Sequence, residues 1–321
     1  MIHSRRRFLN VAGLIGASLT LGVAGHARAQ ARKLEPVKVF TGSNPSFGAV
    51  MVGVDKGFFQ AEGLPVELTK FASGATAVDA FRAGRGEIVV AGDLPSLRLW
   101  QQGGMAICPE ANYGDLNVLV AKKSIAKPAD LRNKKLGTII GSTSEYLAKS
   151  YLAAGGVDPK EVSFINLTPP GMVSGLVRGD IDAFACFQPF GWRAVDADAG
   201  SHILTTTAPY FQEWLIANTT PQYAKSHQAE LVAFLRGLDK AGKWIRENGE
   251  EATKLIAKNL GMDDTGTVTR MLQNIDWSIA YTPKFRADID RLGKFFEVPI
   301  DWNKNFAPEF LAQLGPSYLP K

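Results

Sequence analysis

A short apolar run, a polar turn and a helix follow one another repeatedly along this chain, and that alternation leaves few folds open. The clearest instance is Thr138 to Gly156. Leu136 to Ile140 reads as a buried strand, and Gly141 breaks it. Ser142 and Glu145 then form an S-x-x-E capping box, which starts a helix expected to end at Gly155–Gly156. Such a helix start offers free N–H groups and a positive dipole end to a small anion.

The same pattern runs through the rest of the chain. Strands are expected at Val37–Thr41, Gly63–Leu68, Ile88–Ala91 and Ala106–Cys108, with Glu110 to Asp115 as a polar connection. Ser73 is placed as the N-cap of a helix running through Phe81. After a strand at Asn117–Ala121 the pattern restarts, with strands at Leu136–Ile140, Val162–Ile165 and Ile181–Phe187. Val78 to Ile88 and Val173 to Ile181 echo each other, each a helix, a glycine turn with an acid, and a strand. Trp214 to Ala217 reads as a returning strand, and beyond Pro221 the spacing of Leu231, Phe234, Leu235, Leu238, Ala241 and Ile245 is helical. The reading is an α/β chain of two similar halves, each a parallel sheet covered by helices, with ligand turns at the carboxyl ends of the strands.

Charge excludes one class of partner. Lys and Arg number 36 against 31 acids, a net charge of +5. Arg5, Arg6, Arg7 and Arg28 are the only charged side chains in residues 1–29. Taking those four from 36 leaves 32 against 31, so the net charge falls to +1. The basicity belongs to the leader, and a nucleic-acid partner loses its main support. The leader has a charged start, an uncharged Gly- and Ala-rich run from Val11 to Ala24, and an A-x-A site at Ala27-Arg28-Ala29. Its Ser4-Arg5-Arg6-x-Phe8-Leu9 string resembles the twin-arginine export signal, so residues 1–29 are expected to be a signal peptide and the mature chain periplasmic. The run is too short to span a bilayer.

Cys108 and Cys186, the only cysteines, sit in apolar runs assigned to different halves and are read as two separate buried thiols. Past the leader only His202 and His227 remain. No G-x-S-x-G, phosphate loop or dinucleotide fingerprint is present, so neither an enzyme nor a cofactor is expected. Asp196-x-Asp198-x-x-x-His202 lacks the spacing of a calcium loop, and no metal site is expected.

Several strings together carry a resemblance. They are Lys56-Gly57-Phe58-Phe59-x-x-Glu62-Gly63-Leu64, Ser73-Gly74-Ala75, Ile125-x-Lys127-Pro128-x-Asp130-Leu131, Asn166-Leu167-x-Pro169-Pro170 and Arg178-Gly179-Asp180-Ile181-Asp182-Ala183. Over residues 36–300 the chain resembles the periplasmic substrate-binding proteins of ABC importers, in the group handling sulfonates, taurine and nitrate. The resemblance implies a two-lobed type II binding protein with two crossovers and C-terminal helices. Lobe one would be 36–118 plus 216–321, and lobe two 119–215. It implies a monomer that hands a small organic anion, first an aliphatic sulfonate such as taurine, to permease subunits with a cytoplasmic ATPase. Nitrate, bicarbonate and an aromatic carboxylate stay open as ligands. So does an enzyme on the same fold, such as a thiamine-pyrimidine synthase relative, although its cysteine-rich motif is missing.

The turns implied to line the cleft name the candidate contacts. Lobe one supplies Ser43, Asn44, Phe47, Ser73, Gly74, Ala75, Asp93, Leu94, Asn112 and Tyr113. Lobe two supplies Ser142, Thr143, Ser144, Tyr146, Gln188, Pro189 and Trp192, and Trp214 stands at the return crossover. Each has a plainer reading. The serines serve as caps, and Gln188, Trp192 and Trp214 as turn or packing residues. Asp93 departs from the small hydroxylic pattern of sulfonate binders. It either caps the following helix or receives an amino group, as taurine would offer.

Overall fold

The computed structural model describes residues 34–320. The expected signal peptide and its cleavage site lie outside the described residues. Among the described residues eleven strands form two mixed sheets. The first sheet takes β1 (Val37–Gly42), β2 (Val66–Phe71), β3 (Ile88–Gly92) and β4 (Met105–Tyr113). The second takes β5 (Asn117–Lys122), β6 (Lys135–Thr138), β7 (Ser163–Asn166), β8 (Ala183–Phe187) and β9 (Ser201–Thr206). The chain then returns to the first sheet through β10 (Glu213–Thr219) and a short β11 (Ile275–Asp276). The strand orders are β11-β4-β10-β3-β1-β2 and β7-β6-β8-β5-β9.

The helices fall between these strands. They are α1 (Gly48–Asp55), α2 (Phe58–Ala61), α3 (Gly74–Arg82), α4 (Asp93–Trp100), α5 (Thr143–Ala154), α6 (Pro169–Arg178) and α7 (Phe190–Ala197). The C-terminal part is helical: α8 (Pro221–Ser226), α9 (Gln228–Glu247), α10 (Gly249–Leu260), α11 (Thr265–Leu272) and α12 (Pro283–Phe295) lead the series.

Strand direction differs from the parallel expectation. β1 runs parallel to β2 and β3, but β10 is antiparallel to both β3 and β4. In the second sheet β6 is parallel to β7 and β8, while β5 is antiparallel to β8 and β9. Periodicity reports burial and carries no information on direction. β10 arrives from the other sheet and slots between β3 and β4, so it runs against them. The expected borders at 118 and 216 fall inside β5 and β10. The connections are Gly114–Leu116 and Thr207–Gln212. β5 and β10 open with polar residues, Asn117 and Glu213, that are buried and therefore belong to the strands.

Other strand bounds differ from the expected ones as well. β4 continues past Cys108 to Tyr113, so much of the expected polar connection is strand, with Glu110 fully buried. β6 stops at Thr138, and Gly141 turns the chain at φ +77°. β9 was not anticipated, because its residues alternate too weakly. The helix–turn–strand echo is present in geometry. α3 is followed by Gly84 at φ +72°, and α6 is capped by Gly179 at φ +83°. Both use the left-handed turn that glycine adopts without a Cβ penalty.

The larger core lies on one face of the first sheet, under α1 and α9 to α12. Phe59 is 1% exposed and stacks on Phe234 with centroids 5.2 Å apart. Its ring lies against Gly237 of α9, where an added Cβ would sit 2.3 Å from Phe59 Cδ1. Burying one such ring contributes about 1.5–3 kcal/mol. The second sheet has a core on each face, one with α5 and one with α6 and α7. Cys108 and Cys186 are free, buried and in different sheets.

Candidate functional site

The carboxyl ends of β1 and β3 meet the start of α3 through glycine contacts. A Cβ on Gly42 would lie 2.9 Å from Gly74 N, and one on Gly74 would lie 3.3 Å from Ala91 Cα. No side chain fits between these backbones, so the turns after β1, before α3 and after β3 come together. Ser73 caps α3 reciprocally with Thr76: Ser73 N donates to Thr76 Oγ1 (3.0 Å) and Thr76 N to Ser73 Oγ (3.2 Å). Asn44 Oδ1 accepts from Ser46 N at 2.9 Å, shaping the turn after β1. Ser43, Ser73 and Ala75 are exposed, and Asn44 and Gly74 half-buried. Phe47 and Leu94 belong to the core.

Across from these turns stands α5. Ser142 Oγ accepts from Glu145 N at 3.4 Å, and Glu145 Oε2 accepts from Gly141 N at 2.6 Å. The expected box is therefore present, but its return bond reaches Gly141, one residue before the cap. Ser142 also donates to Ile139 O at 2.6 Å. The amides of Thr143 and Ser144, in the first turn, have no helix carbonyl to bond.

The three hydroxyls have distinct tasks. Ser142 caps the helix. Thr143 Oγ1 donates to Asp93 Oδ1 of the first sheet at 3.1 Å. Ser144 Oγ donates to Asn117 Oδ1 at 2.7 Å, and Asn117 Nδ2 donates to Glu213 Oε2 at 3.0 Å. Tyr146 packs its ring against Phe211 and Phe295, with centroids 4.6 and 4.5 Å away.

Asp93 is 4% exposed and opens α4. Its Oδ1 also accepts from Leu94 N at 2.7 Å, and its Oδ2 from Trp214 N at 3.4 Å. It serves the helix start, as one reading had it, and it also ties α4 to α5 and β10. Trp214 lies edge-on to Phe285 and donates Nε1 to Asp288 Oδ2 at 3.2 Å, which is a packing role. Asn112 Nδ2 donates to Asp276 Oδ2 at 3.2 Å. Gln188 Oε1 accepts from Trp192 N at 3.0 Å, whereas its buried Nε2 has no partner. Pro189 is half-buried ahead of α7. Trp192 joins the first sheet's core, with the Arg270 guanidinium of α11 4.0 Å from its ring.

Sequence reasoning missed five residues here. Arg98 Nη2 donates to Gly141 O at 3.0 Å, and Arg270 covers Trp192. Asn117, Glu213 and Glu110 are buried. A polar residue opening an apolar strand was the available signal for Asn117 and Glu213. Glu110 carries none, because the sequence Glu110 to Asp115 reads as a polar connection.

Burial pushes the carboxyls of Asp93 and Glu213 up, and the Asp93 charge raises Glu213 further. Burial lifts Glu110 to about 8. The Tyr113 phenol is raised by burial, then by Glu213 and Asp93. Among the described residues no group of three or more His, Cys, Asp or Glu is arranged to hold a metal ion.

Comparison with known proteins bears on this arrangement. The sequence profile of the NMT1-like family matches residues 32–261. The taurine-binding periplasmic protein of Escherichia coli (strain K12) is 30% identical over 198 residues, covering 59% of this chain and 60% of that protein. The alignment thus reaches less than two thirds of that relative's length. A putative thiamine biosynthesis protein of Haemophilus influenzae is 28% identical over 222 residues, covering 65% of this chain and 68% of that protein. Among solved structures, the periplasmic aliphatic sulphonate binding protein SsuA from Escherichia coli superposes with a TM-score of 0.73 at 18% identity. That match covers 86% of this chain and 99% of SsuA, and it establishes the α/β binding-protein fold.

Proposed function

The chain belongs to the NMT1-like family, and from that premise we propose that it is a periplasmic solute-binding protein serving an ABC importer. Its cargo is a small organic anion, first an aliphatic sulfonate such as taurine. The observation that carries this reading is the start of α5, where the free amides of Thr143 and Ser144 stand opposite the first-sheet turn at Asp93. Neutral donors at a helix N-terminus hold an anion without burying a counter-charge. The likeness to a taurine-binding relative points the same way.

The two sheets act as two lobes, joined by the connections Gly114–Leu116 and Thr207–Gln212, that close on the ligand about these crossovers. Asp93–Thr143, Arg98–Gly141 and Asn117–Glu213 are the polar ties of the closed form. The ligand contacts are drawn from the turns around Asn44, Ser73, Asp93, Tyr113, Thr143 and Gln188. The closed, water-poor cleft strengthens each hydrogen bond to the cargo. No covalent step is needed, and the protein works as a monomer with permease subunits and a cytoplasmic ATPase. An enzymatic reading on the same fold is favoured by one observation only, the similarity to the thiamine biosynthesis protein.

Isothermal titration against taurine, alkanesulfonates, nitrate, bicarbonate and aromatic carboxylates tests the proposal. One ligand of the panel is expected to bind at one site per chain and to raise the Tm. Binding by none, or turnover of a bound compound into product, would sink it.

A further inference from the structure

We propose that the C-terminal helices α11 and α12 brace the second lobe at two points and thereby set how readily the lobes close. Phe295 and Arg270, with their partners Tyr146 and Trp192, are the positioning residues. The inference rests on the two-lobe binding reading, and it places a control over closure beyond residue 261, where the NMT1-like match ends.

The first point is aromatic. Phe285, Ile289 and Leu292 root α12 in the first sheet's core. The last residue of that helix, Phe295, places its ring 4.5 Å from that of Tyr146 on α5. Phe211 of the crossover meets the same ring at 4.6 Å. Tyr146 therefore packs against the cores of both sheets. Aromatic pairs at these separations attract beyond the area they bury. Tyr146 also lies about one helical turn beyond Thr143, whose first-turn amide faces the cleft in the binding reading. Holding the ring holds that amide in place.

The same helix pins the crossover. Asp288 is buried, and its Oδ2 accepts from Trp214 Nε1 at 3.2 Å and from Gln212 N at 3.4 Å. Lys284 and Arg291 balance its charge, and Arg291 Nη1 also donates to Tyr210 O at 3.0 Å. The connection Thr207–Gln212 is thus held along α12, so a rotation of the lobes about it moves Tyr146 against Phe295. The second point lies on α11. Its Arg270 guanidinium sits 4.0 Å from the ring of Trp192, which is buried on α7 of the second lobe. A cation over a tryptophan face is attracted by the ring's quadrupole. Each point joins a first-lobe helix to a second-lobe helix, and opening the cleft parts both pairs.

Two spin labels on the mature chain test this through the distance between them. Arg85→Cys and Lys160→Cys place the labels on exposed turns of the first and second lobes, while Cys108 and Cys186 are buried. With no ligand added, the labelled chain is expected to show a short and a long separation. Phe295→Ala is expected to lower the share of the short one about threefold. Should that variant fail to fold, Arg270→Ala, at an exposed position, carries the same expectation. Gly237→Ala, which presses on Phe59 in the first sheet's core, is expected to lower the Tm without moving the separations. A distribution that neither brace variant changes, or an equal change in Gly237→Ala, overturns the inference. Taurine is expected to bind Phe295→Ala about threefold more weakly than the parent chain. Taurine binding to neither protein counts against the proposed cargo and not against the brace, which the ligand-free separations decide.

Discussion

Asp93 and Thr143 lie fifty residues apart in sequence, yet the Thr143 hydroxyl donates to Asp93 Oδ1 at 3.1 Å, joining the two sheets across the candidate cleft. A hydrogen bond to a carboxyl in a buried setting is worth about 1.5–3 kcal/mol. Thr143→Val keeps the shape and removes the donor. It is expected to weaken ligand affinity about tenfold, or about 1.4 kcal/mol, by loosening the closed form. Titration of both proteins checks this, and unchanged affinity would show that the bond does not support closure.

Glu110 makes stability depend on pH with a definite sign. Its folded pKa of about 8 lies above the ordinary 4.5, so the folded state binds the extra proton between those values. Stability from the neutral carboxyl is complete below about pH 4.5 and is lost as pH rises through 8. Asp93 and Glu213, also raised, add the same sign. The Tm of the wild type is expected to fall more steeply from pH 5 to 9 than that of Glu110→Gln. Parallel melting curves across that range would contradict the burial argument.

Gly237 sets the distance between α9 and Phe59. Alanine there gains about 1 kcal/mol of helix propensity. Its Cβ would sit 2.3 Å from Phe59 Cδ1, and forced overpacking costs about 1–3 kcal/mol. The clash should win, so Gly237→Ala is expected to lower the Tm. Combining it with Phe59→Leu should recover part of the loss in a double-mutant cycle. Additive losses would mean that the ring and the helix do not press on each other.

Local chemistry was legible in the sequence, and long-range partnership was not. The caps at Ser73 and Ser142 depend on residues three apart, and both helices start where the residues require. The extra hydroxyls at Thr143 and Ser144 signalled work beyond capping, but their partners, Asp93 and Asn117, are fixed only by the docking of two sheets. Tyr146 reads as a ligand contact, and its ring also packs against Phe211 and Phe295, partners from distant segments that the local sequence does not show. Glu110 was hidden most completely. A carboxylate between apolar residues resembles the end of a strand, yet here the strand continues and the acid goes inside.

The placement of the ligand is tested most directly by hydrogen exchange of the mature chain with and without taurine. Protection is expected in three segments at once: the amides of residues 142–145, those of 91–94 at the end of β3, and those of 187–192 after β8. Protection confined to the groove between α10 and α11, lined by Thr253, Leu272 and Trp277, or saturable binding with no protection at 142–145, would contradict a site between the two sheets.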